Sequence, residues 1–179
     1  MEAVVLRYGH RIFRDQRVTS HCCLVARAFG ASEIIVEGIQ DPELEKNFYD
    51  VAKRWGGKEK LSFTQSWKKT AQEYRKKGFY ITHLTMYGMP VQEETQKIRK
   101  KEKHLVIIGS QKVEPQVYAF ADSNISVTGQ PHSEIAALAV FLDRLFNGEE
   151  LAKKFPNAEI EVVPQEKGKK TTEKSRKRV

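Results

Sequence analysis

Short apolar runs and amphipathic stretches alternate along most of the chain. Ala3-Val-Val-Leu6, Glu33-Ile-Ile-Val-Glu37, Leu61 to Ser66, Phe79 to Thr85, Leu105-Val-Ile-Ile-Gly109, Ile125 to Thr128 and Ala158 to Val163 read as strands. Helices fit between them. Thr19 or Ser20 can cap one that runs to about Phe29, and Gly30 is a natural stop. Asp41-Pro42 opens a second to Trp55, closed by Gly56-Gly57. A basic helix from Trp67 to Lys77, a charged one within 91–103, a short one from Pro115 and a long apolar one from His132 to Phe146 complete the set. Arg7 to Arg17 reads as a charged loop, and Tyr87-Gly88-Met89-Pro90 as a break.

Strands that alternate with helices predict an α/β fold, with a mostly parallel sheet flanked by helices on both faces. The expected organisation is one domain over residues 1–164 and a basic flexible tail over 165–179, which has almost no apolar side chain to bury. The long helix carries Ile135, Leu138, Ala139, Leu142 and Leu145 on one stripe, and Val140 and Phe141 widen the apolar surface. A subunit interface or a fully buried core helix would each explain that breadth.

Composition narrows the partners. Lys and Arg number 31 against 23 Asp and Glu, a formal net charge of +8, which favours an anionic partner and above all nucleic acid. Cys22 and Cys23 are adjacent, so they neither pair readily nor form a metal set, and a reducing cytoplasm is expected. Neither a signal peptide nor a membrane span is apparent.

Three glycine-containing loops follow strands, where ligands of parallel sheets bind: Leu84 to Gly88, Gly109 to Pro115 and Thr128 to Glu134. None has the dinucleotide or P-loop spacing. A fourth segment is dense in cations, with Arg7, Arg11, Arg14 and Arg17 alongside His10 and His21. Guanidinium groups suit phosphates and developing oxyanions. Asp15, set among them, is suited to orienting arginines.

Arg14-Asp-Gln-Arg-Val-Thr-Ser-His21, His83-Leu-Thr-Met-Tyr-Gly88, Ile108-Gly-Ser-Gln-Lys-Val113 and Gly129-Gln-Pro-His-Ser-Glu134 resemble the archaeal tRNA cytidine-56 2′-O-methyltransferases of the SPOUT superfamily, over essentially residues 3–165. Leu24, Gln111 and His132-Ser133-Glu134 depart from motifs common in the wider superfamily. The resemblance implies a deep C-terminal trefoil knot, a homodimer, S-adenosylmethionine as cofactor, tRNA as substrate and no metal. It places cofactor contacts on Leu84, Gly109, Ser110, Gln111, Lys112, Val113, Val127, Thr128, Gly129, Gln130, Pro131, His132, Ser133 and Glu134. Its essential arginine falls on Arg17; on chemical grounds a phosphate or His21 would accept or relay the proton, and Arg7, Arg11 and Arg14 would contact the RNA. A base methyltransferase of the same superfamily and a non-catalytic RNA-binding module remain alternatives.

Overall fold

The computed structural model describes residues 1–109 and 113–173. Six strands form one sheet: β1 (Glu2–His10), β2 (Glu33–Gly38), β3 (Lys60–Thr64), β4 (Tyr80–Pro90), β5 (Lys103–Ile108) and β6 (Ser123–Ser126). Their order is β3-β2-β1-β5-β4-β6, and every neighbouring pair is parallel. Parallel neighbours need crossovers, which α1 (Ile12–Ala28), α2 (Pro42–Trp55), α3 (Trp67–Lys76), α4 (Val91–Ile98) and α5 (Pro115–Phe120) supply. A sixth helix, α6 (Glu134–Phe146), follows β6.

Alternation along β1 divides the core. Ala3 and Val5 face one layer, with Cys22 and Cys23 of α1, Phe48 of α2 and Phe141 of α6. Val4 and Leu6 face the other, with Trp67 and Tyr74 of α3 and Val117 of α5. Both faces are thus dry, which is why β1 and β5 read as continuous apolar runs. Cys22 and Cys23 are free thiols, each pushed up to about 12 by burial.

The amino-terminal region departs from the sequence expectation. Residues 7–10 continue β1 and residues 12–17 open α1, so the charged segment is strand and helix joined at Arg11. Asp15 and Thr19 are buried, whereas Phe13 is fully exposed and Leu24 partly so. That distribution inverts the usual amphipathic pattern and hides the helix from a periodicity reading.

The Tyr87–Pro90 segment also differs. It extends β4, because Met89 and Pro90 find partners on β6. Ile125 is paired with both Leu84 and Met89, so the β4 chain departs from β6 after Leu84 and returns to it at the same residue. Gly88 makes that path possible, since a Cβ there would lie 2.5 Å from the Asn124 carbonyl carbon and oxygen and the Ile125 nitrogen.

The last predicted strand is β7 (Ile160–Val162). It pairs antiparallel with β8 (Thr171–Glu173), not with the main sheet. Three residues expected in an unstructured tail are therefore extended and paired. Among the described residues no helix is long and apolar enough to cross a membrane.

Candidate active site

The carboxyl ends of β4, β5 and β6 converge with the amino-terminal ends of α5 and α6 around a cavity of about 310 Å³. Leu84, Thr85, Met86 and Tyr87 line it from β4, and Ile108, Gly109 and Val113 from the β5 end. Tyr118 of α5, then Ile125, Val127, Pro131, His132, Glu134 and Ala137, close it. Apolar walls at Leu84, Ile108, Val113, Ile125, Val127 and Ala137 are interspersed with polar groups from His83, Thr85, Tyr118, His132 and Glu134. That is the make-up of a pocket that packs a flat organic group and fixes its orientation with a small number of hydrogen bonds.

Local chemistry shapes the rim. The Ser133 hydroxyl accepts from Ile135 N and caps α6, which places Glu134 in the first turn at the cavity. His132 Nδ1 donates to the Gln130 carbonyl at 2.7 Å, and Gln130 N donates to Thr128 Oγ1 at 3.3 Å, so the turn before α6 is self-bonded. A side chain on Gly109 would meet Val113, so glycine lets the strand end lie against that residue. Gly129 is open, with nothing within 4 Å of a Cβ built there.

Of the positions expected to hold cofactor, Leu84, Gly109, Val113, Val127, Pro131, His132 and Glu134 line the cavity. Thr128, Gly129, Gln130 and Ser133 form the turn that carries the last three. Ser110, Gln111 and Lys112 lie outside the described residues. Tyr118 was not foreseen. Its hydroxyl is 3.0 Å from Thr85 Oγ1 and its ring meets His83 edge-on at 4.6 Å. The only hint was an aromatic residue in the first turn after Pro115.

The arginines separate into three environments. Arg7, expected at the RNA, is 1% exposed. It donates through Nη1 to the Tyr8 carbonyl and through Nη2 to Glu134 Oε1 at 3.1 Å. It is therefore a buried partner of the cavity wall and has no access to a phosphate. Arg11 and Arg14 are exposed on α1 and flank Asp15, with contacts of 3.1 and 3.8 Å, so Asp15 orients them as expected. Arg17 and His21 are exposed on the same helix, one turn apart, and neither lines the cavity of its own chain.

A buried polar chain supports the end of β1. His10 Nδ1 is 3.0 Å from Thr19 Oγ1, and Nε2 faces Asp41 Oδ2 at 3.4 Å. Burial lowers the His10 pKa, and Asp41 opposes that shift. Asp41 Oδ1 also accepts from Glu43 N and Leu44 N and caps α2. Tyr8 donates to Glu114 Oε1 at 2.9 Å, and burial together with that carboxylate raises its pKa to about 12.

The family model described as "tRNA ribose 2'-O-methyltransferase, aTrm56" matches residues 55–172. The tRNA (cytidine(56)-2'-O)-methyltransferase of Thermococcus kodakarensis is 48% identical over 170 residues, 93% of this chain and 94% of that protein. The chain belongs to the aTrm56 family of tRNA ribose 2'-O-methyltransferases. Its relative in Methanothrix thermoacetophila, named in the same way, is 48% identical over 169 residues, 94% of this chain and 96% of the relative.

Solved structures place this chain in the SpoU/TrmH fold. The TrmH/SpoU tRNA-modifying enzyme of A. aeolicus superposes with TM-score 0.61 at 11% identity, over 86% of this chain and 79% of that one. The SpoU methyltransferase AviRb of Streptomyces viridochromogenes, solved in complex with the cofactor AdoMet, gives 0.60 at 12% identity, over 82% and 57%. This chain thus spans less than two thirds of some of these longer proteins but nearly the whole length of its named relatives.

Proposed function

We propose that this chain transfers a methyl group from S-adenosylmethionine to the ribose 2′-hydroxyl of cytidine 56 in the TΨC loop of tRNA. The observation that carries the reading is the near full-length similarity to relatives named for that reaction, together with a cavity at the carboxyl ends of three parallel strands.

The residues present fit the cofactor. The apolar walls at Leu84, Ile108, Val113 and Ile125 suit an adenine, and Gly109 lets Val113 close against the end of β5. When bound, the cofactor supplies an electrophilic methyl on a sulfonium. Glu134, held by Arg7, adds an anionic group to the rim of a site that receives a cation.

Arg17 is assigned the catalytic role. A ribose hydroxyl is mostly protonated at neutral pH, and negative charge develops on its oxygen as it reacts. A guanidinium stays protonated and stabilises that charge. His21, one turn away, would accept or relay the proton, while Arg11 and Arg14 would hold flanking phosphates. The basic segment 165–179 would add sequence-independent grip.

Because Arg17 and His21 lie outside the cavity of their own chain, the site is assigned to a homodimer in which each protomer lends α1 to its partner. Support comes from Phe13 and Leu24, exposed apolar residues on the face of α1 that carries Arg17 and His21, and from Val140, 40% exposed on the adjoining α6. The reading extends to the knotted carboxyl-terminal half that the resemblance implies, and the two unpaired thiols are in keeping with a reducing cytoplasm.

The test is incubation of unmodified tRNA transcript with methyl-labelled cofactor, followed by nucleoside analysis. Label in 2′-O-methylcytidine from position 56 is the expected result. Label on a base, or none, overturns the reading.

A further inference from the structure

His83 stands in the first half of β4, one residue before that strand leaves its neighbours at Leu84; it is fully buried and forms part of the cavity lining. Hydrogen bonds on one side of its ring fix its proton. Asn124 Nδ2 donates to the Tyr118 carbonyl at 3.0 Å. A carbonyl only accepts, so the amide is locked with Oδ1 facing His83 Nδ1, 2.9 Å away. That oxygen also only accepts, so Nδ1 carries the proton and Nε2 is a bare lone pair. Among the described residues, Nε2 is buried and has no partner. Tyr118 packs edge-on against the ring and is itself tied to Thr85, so the imidazole is held in place. Burial disfavours protonation, which keeps the ring neutral and Nε2 an acceptor.

A buried acceptor left unmet is costly, and here it occurs in the wall of a ligand cavity beside Leu84. We infer that His83 Nε2 accepts a hydrogen bond from the adenosine part of the cofactor, either a ribose hydroxyl or the exocyclic amine. The inference rests on the cofactor reading above and adds a named contact to it. A site built around such an acceptor rejects analogues that lack the donor far more strongly than an apolar wall does.

Calorimetry with S-adenosylhomocysteine on the full chain tests it, comparing wild type with His83→Phe, which keeps the ring packing, and His83→Gln, which keeps an acceptor. His83→Phe should weaken binding on the order of tenfold or more, and His83→Gln should recover part of that loss. Adenosine, 2′-deoxyadenosine, 3′-deoxyadenosine and purine riboside distinguish the donors. The analogue that lacks the bonded group should bind wild type weakly and lose nothing further in His83→Phe. In the wild-type protein, the histidine 15N spectrum should show an unprotonated Nε2 whose resonance moves when S-adenosylhomocysteine binds. Unchanged affinity in His83→Phe, or an Nε2 resonance that stays in place on binding, overturns the inference. A wild-type protein that binds no S-adenosylhomocysteine overturns the cofactor reading, and this contact with it.

Discussion

Arg7 and Glu134 lie 127 residues apart, yet the Arg7 guanidinium donates to the Glu134 carboxylate at 3.1 Å. Arg7 is buried inside the sheet-helix layer, while Glu134 is 31% exposed at the cavity. The pair ties the first strand to the helix that closes the site. Truncating Glu134 to Ala would strand a buried guanidinium. Loss of one partner of a fully buried pair costs roughly 3–5 kcal/mol, and partial exposure of Glu134 brings the expectation to about 2 kcal/mol. Urea denaturation measures it. A cost below about 0.5 kcal/mol would show that water replaces the carboxylate freely.

Two glycines, Gly88 in β4 and Gly129 in the turn before α6, should respond differently to the same change. Gly88→Ala places a methyl against the Asn124–Ile125 backbone, which cannot swing aside, and should cost about 1–3 kcal/mol. Gly129→Ala meets open space and should stay within about 0.5 kcal/mol. Equal effects on the denaturation midpoint would contradict the close approach of Gly88 to the β6 backbone.

Glu150 is buried near Gly30, beside the carboxyl group of Asp143. Burial raises its pKa, with the nearby Asp143 adding to the shift. The folded state therefore prefers the protonated acid. The stability it lends is present below the ordinary carboxylate range and is lost as pH climbs through the raised folded value. Glu150→Gln should raise Tm by about 2–4 °C at pH 8, a gain that vanishes near pH 4. A constant difference across that range would refute the assignment.

Lys167, Lys169 and Lys170 are exposed beside β8. Changing all three to Gln should weaken tRNA binding most at low salt and make its salt dependence shallower by up to about three ions, with turnover at saturating tRNA preserved. An unchanged salt slope would place this segment away from the nucleic acid.

The strands that cross the middle of the sheet were plain in the sequence, because burial on both faces leaves them uniformly apolar. The region around α1 was not. Its inward face carries Asp15, Thr19 and Arg27, its outward face Phe13 and Leu24, and Arg7 is charged yet sealed in the core. The two arginines reverse the local rule because their partners, Glu134 and Glu59, lie far along the chain. The full length of β4 was hidden for a similar reason, since the pairing of Met89 and Pro90 with β6 is a tertiary event. The candidate site was legible as three glycine loops, while His83 and Tyr118 became visible only once Asn124 linked them.

The central claim is that Arg17 of one protomer acts at the cavity of its partner. Arg17→Ala, which removes the cation, and Gly109→Val, which fills the cavity edge, should each be inactive alone. Random mixing of the two then yields mixed dimers with one site that has both an open cavity and a partner-supplied Arg17. The measurement is tRNA methylation by that mixture. The account predicts recovery of about a quarter of wild-type activity, and the absence of any recovery would contradict it.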